Sequence, residues 1–106
     1  MMQIIKSKLW IFLLYTVLFS SDFIPSNGQL LNYVQVFFKW PQVVGADLYI
    51  LNILTQTSSE EYFSESNSMI IDKLDWDKEY TWRVCGLDSD SNYIDCFNPS
   101  SFSINP

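Results

Sequence analysis

Reactive side chains at usable spacing are scarce in this chain. Cys85 and Cys96 are its two cysteines, and histidine is absent. An even pair of cysteines in an exported chain predicts a single disulfide, with no choice of partner. It would close a loop of about 12 residues and contribute on the order of 3 kcal/mol in the chain-entropy account. A zinc or redox site is the competing chemistry. It lacks support, because no histidine and no CxxC spacing accompanies the pair.

Other constellations fail one by one. "DSDSN" (Asp88 to Asn92) copies the first three ligand positions of a calcium loop, but Tyr93 stands where glycine is needed and Pro99 holds the twelfth position. An acidic, solvated hairpin tip is the expectation there. Nucleophilic catalysis needs an activating base, and no G-x-S-x-G or glycine-rich phosphate loop is present; Gly28, Gly45 and Gly86 are the only glycines. "EEYFSE" and "LDWDKE" are expected to be polar rims of strands, which discourage edge pairing. Proline occupies the forbidden middle place of "NPS" at Asn98, so glycosylation is unsupported. The expectation is a non-catalytic chain that requires no cofactor and no metal.

The N-terminus indicates the compartment. Lys6 and Lys8 precede the uncharged run "LWIFLLYTVLF", which is the order of a secretory signal peptide. The run is too short to span a bilayer, which takes about 20 residues. Ser26 and Gly28 are small residues at the spacing a signal peptidase accepts, which puts cleavage between Gly28 and Gln29, with an earlier cut near Ser20 or Ser21 as the alternative. The expected organisation is a signal peptide over 1–28 and one domain over 29–106. Retention of the leader as a membrane anchor is the competing outcome, and no cysteine follows the run to carry a lipid.

Cleavage at that point changes the charge. It removes Lys6 and Lys8 from the 6 basic residues and Asp22 from the 12 acidic ones, leaving 4 against 11 and a net charge of −7. Nucleic acid is thereby disfavoured, since phosphates are held by clustered Lys and Arg. Lys39, Lys73, Lys78 and Arg83 are scattered among carboxylates. Anionic membrane surfaces are disfavoured for the same reason. The remaining 78 residues suffice for one domain with a thin core.

That domain has the period of strands. "YVQVFFKW" places Val34, Val36, Phe38 and Trp40 on one face, and "ADLYILNIL" places Tyr49, Leu51 and Ile53 inward after the turn "PQVVGA". A short edge strand is expected over Glu61 to Ser64, followed by "SMIID". The strongest pattern is "EYTWRVCGL", with Tyr80, Trp82 and Val84 on one side. "SFSIN" returns near the end. About six short strands separated by turns predict an all-β, antiparallel, immunoglobulin-like sandwich whose first strand is short or missing. Trp40, Tyr49, Leu51, Leu74, Tyr80, Trp82 and Val84 are the expected core, because large rings fill the space between two facing sheets.

Other aromatics fall on the outward phase or in connections. Phe37, Tyr62, Phe63 and Trp76 are the candidates for a partner surface, with Tyr93 and Phe97 less well placed. Phe37 and Phe63 are the better pair if both point outward, and for Trp76 the simpler role is a lid over the end of the core.

Three features in this order resemble the fibronectin type III domain: Trp40 closing the second strand, "GADLYILNI" like the family's Gly-Ala-x-x-Tyr-x-Leu strand, and Leu74 six residues before Tyr80 of "YTWRV" like its tyrosine corner. The resemblance covers residues 33 to 106 and implies a phenol bonded back to nearby backbone. Trp76 stands where the family often has proline, and the usual first strand is absent or reduced to "QLLN". An unpaired edge beside Tyr33 to Trp40 would accept a strand from another chain. The functional expectation is a secreted or cell-surface module that binds a protein or glycan, or acts as a spacer. An accessory region of a secreted enzyme, or an inhibitor, is the alternative.

Overall fold

The computed structural model describes residues 23 to 106. Among them there is no helix, and the strands are β1 (Gln29–Leu31), β2 (Val36–Lys39), β3 (Leu48–Leu54), β4 (Ser59–Ser64), β5 (Ser68–Ile71), β6 (Lys78–Leu87), β7 (Tyr93–Cys96) and β8 (Ser100–Ile104). The larger sheet has the order β1-β8-β6-β3-β4, and β2 pairs with β5 in a smaller one. β7 and β8 share one side of β6: β8 pairs with its first half, from Lys78 to Trp82, and β7 with Cys85 to Leu87. The result is an all-β sandwich. It departs from the purely antiparallel expectation at one place, where β1 runs parallel to β8 with Gln29 opposite Phe102 and Leu31 opposite Ile104. β1 and β7 add to the six segments visible as alternating runs.

The inward phase of the strands forms the core. Val36, Phe38 and Trp40 from one sheet meet Tyr49, Leu51, Ile53, Tyr80, Trp82, Val84, Phe102 and Ile104 from the other, all buried. Leu74 packs against this cluster while only partly covered. The rings interlock edge to face, Trp82 on Phe38 at 5.1 Å and Trp40 on Tyr49 at 5.6 Å between centroids, a geometry that aligns ring edges with ring faces. Neither buried indole N–H, of Trp40 or Trp82, has an acceptor. Each such donor costs about 1–3 kcal/mol, which the area buried by these two rings offsets.

Two phenols tie connections to this core. The Tyr49 hydroxyl accepts from the Val43 N–H at 2.9 Å, and the Tyr80 hydroxyl accepts from the Asp75 N–H at 2.8 Å. The first holds the link between β2 and β3 over the end of the sandwich, and the second holds the link between β5 and β6. Gly86 is required where the first link lies down, because a Cβ there would sit 3.1 Å from that of Val43 and 3.2 Å from that of Ala46.

The folded unit extends upstream of residue 29. Phe23 packs partly buried against the core, Pro25 is among the fully buried side chains, and Ile24 exchanges two backbone hydrogen bonds with Lys39, at 2.8 and 2.9 Å. Asn27 accepts the Ser101 N–H through its side chain. The folded unit thus takes in residues 23 to 28, upstream of the domain start expected at residue 29. The rest of the expected signal segment, residues 1 to 22, lies outside the described residues.

Candidate functional site

The outer face of the larger sheet carries the least expected side chains. Residues directly opposite in an antiparallel pair project from the same face, so the register fixes rows across the sheet. One row runs Phe63, Ile50, Cys85 and Cys96 across β4, β3, β6 and β7. The next joins Leu48, Leu87 and Tyr93. Ile50 and Leu87 are 7% and 4% exposed although they point away from the core. Both are absent from the main buried cluster, as is Cys85. Their cross-strand neighbours are themselves in solvent, since Phe63 is 56% and Tyr93 65% exposed.

Cys85 and Cys96 form the disulfide, with Cα atoms 4.0 Å apart. The flanking pair, Val84 and Phe97, is hydrogen-bonded, the Phe97 N–H donating to the Val84 carbonyl at 2.9 Å. The cysteines therefore occupy the next, non-hydrogen-bonded rung, where side chains approach most closely. Cys96 is exposed, whereas Cys85 is buried.

Carboxylates flank this apolar band. Glu61 stands on the same face one row below Phe63, Asp47 precedes Leu48, and Asp88 follows Leu87. Arg83, two residues before Cys85, is the cation on that face. The Asp88 carboxyl is held below the usual range because it accepts backbone N–H bonds from Asn92 and Asp90. Those bonds, both 2.9 Å from one carboxylate oxygen, turn "DSDSN" inward on its own backbone. No group of three His, Cys, Asp or Glu that could hold a metal ion occurs among the described residues.

The four aromatic candidates do not form one surface. Phe37 lies on the outer face of the smaller sheet, opposite Ile70 on β5, on the far side of the sandwich from Phe63. Tyr62 turns toward the core from β4, and its hydroxyl donates to a Glu60 carboxylate oxygen. Hydrogen bonding to Glu60, then burial, pushes the Tyr62 phenol up to about 12. Trp76, expected as a lid, is 45% exposed and stands outside the core cluster.

The edge beside β2 is closed at one end and open at the other. β1 pairs with β8, so "QLLN" is not idle, and Ile24 occupies the backbone of Lys39. Two residues earlier, alternation points the Phe37 N–H and C=O at the same edge, where no described strand meets them. The open edge thus shrinks from the whole of Tyr33 to Trp40 to its first half.

A groove of about 540 Å³ is lined by Leu54, Thr55, Gln56, Thr57, Asp77, Lys78, Glu79 and Thr81. It lacks a nucleophile paired with a base, the arrangement acyl or phosphoryl transfer would require. No family model matches the chain, and no curated protein matches its sequence.

Proposed function

We propose that the chain is an exported, fibronectin type III-like module that acts by binding another protein through the outer face of its larger sheet. The observation that carries this reading is the band of Ile50, Leu87 and Cys85, which is buried with no second layer above it among the described residues and bordered by exposed Phe63 and Tyr93. An exposed aromatic rim around a covered aliphatic centre is the composition of a protein-binding patch rather than of an ordinary solvent face. Carboxylates around it favour a partner whose apolar centre is rimmed by Lys and Arg, and disfavour a second copy of this acidic chain. The Tyr80 hydroxyl bond to Asp75 and the sheet order support the family reading. Fold likeness alone does not fix function.

The test is comparative capture from extracellular fluid and cell surfaces. Wild type and a Phe37→Ser, Ile70→Ser variant should retain a common partner, in a complex weakened by salt. A Phe63→Ser, Tyr93→Ser variant that remains folded should lose it. Loss through the Phe37 variant, or equal retention by both, would overturn the assignment of the face.

A further inference from the structure

We infer that the leader is removed on the N-terminal side of Phe23, by hydrolysis of the peptide bond after Ser20 or after Ser21, and not after Gly28. The inference rests on the export reading above and adds a processing site to it. Residues 23 to 28 do structural work that a signal peptide has no reason to do. The Phe23 ring meets Phe97 at 5.2 Å and 84°, and Trp82 at 6.3 Å and 60°, edge to face in both cases. Pro25 is fully buried. Ile24 closes the edge of β2 at Lys39 through two bonds, and Gly28 donates its N–H to the Ser101 carbonyl at 2.7 Å. Gly28 also holds φ +84°, a left-handed turn that feeds β1 into its pairing with β8.

A cut after Gly28 would remove all of these together. It would open a hole beside Trp82, leave the edge of β2 unpaired along its whole length, and place a charged amine at the first residue of β1. Signal peptidase acts on the unfolded chain, so the fold does not shield that bond; it determines which product is stable. Upstream, Ser20 and Ser21 each place a small residue on the acyl side of the scissile bond, directly after the apolar run, with Leu18 or Phe19 two positions before it. One water is consumed: its hydroxyl completes the serine carboxyl, and its proton goes to the amine released at Ser21 or Asp22.

The experiment uses the full chain expressed through the secretory pathway of insect cells, with N-terminal sequencing and intact mass of the exported product. A chain beginning at Ser21 or Asp22 is expected. A chain beginning at Gln29, or anywhere from Phe23 to Gly28, overturns the inference while leaving export intact. An exported chain still carrying Met1 overturns the cleavage alone, and a chain found only inside the cells with Met1 in place overturns both. A Ser20→Leu, Ser21→Leu variant should accumulate as precursor; wild-type yield of a product starting at Gln29 from that variant also overturns the inference.

Discussion

β3 has buried residues on both sides, and the two sides are buried by different means. On one, Tyr49, Leu51 and Ile53 press against a facing sheet. On the other, Ile50 stands between Phe63 on one neighbouring strand and the disulfide's Cys85 on the other, with no layer above among the described residues. Backbone pairing is identical for both. The difference shows that burial here has two origins, sheet-on-sheet packing and lateral shielding within one sheet, and only the second leaves its covering groups available to a partner.

The largest expected effect tests the sealed side. Trp82→Ala should cost about 3–5 kcal/mol, the range for a buried aromatic that leaves a cavity, measured by urea unfolding. A loss under about 1 kcal/mol would mean the inner layer is no more sealed than the outer. Replacing Cys85 and Cys96 together by alanine should cost about 3 kcal/mol from the loop entropy returned to the unfolded chain, and would uncover Ile50.

Ile50→Ala should lie near the lower end of its class, about 2 kcal/mol, because neighbours at an open face can settle into the gap. Equality with a core isoleucine such as Ile53→Ala would remove the distinction between the two sides. The smallest effect belongs to Tyr62, which turns inward where its neighbour Phe63 turns outward. Its phenol is raised from 10.0 to about 12, first by the bond to Glu60. The folded value exceeds the unfolded one, so the associated stabilisation is complete below pH 10 and is lost as pH rises through about 12. Tyr62→Phe should delete a phenolate absorbance step near pH 12 and leave unfolding at neutral pH little changed.

Much of this could be inferred from residue order. Alternation in "YVQVFFKW" and "EYTWRVCGL" marks β2 and β6 and the phase of Trp40 and Trp82, because a period of two assigns each residue to a face. β1 is only three residues long and β7 is exposed at all four of its residues, so neither shows a period, and the parallel pairing of β1 depends on a strand at the other end of the chain. The packing of Phe23 and Pro25 is not legible in the sequence, because a leader and a segment buried against the core are both apolar. The covered outer band follows from what strict alternation conceals. "LYILNIL" is almost continuously apolar, the signature of a strand buried on both faces, and that signal indicates Ile50. Whether Phe37 and Phe63 share a surface depends on sheet order, which no local pattern encodes.

The parallel contact between β1 and β8 has a mechanical consequence. The chain enters β1 at one end of the contact and leaves β8 at the opposite end, so tension applied through the two termini runs along both strands in opposite senses. The three rungs from Gln29 to Leu31 are then sheared together instead of peeled in succession, and they resist stretching as a unit.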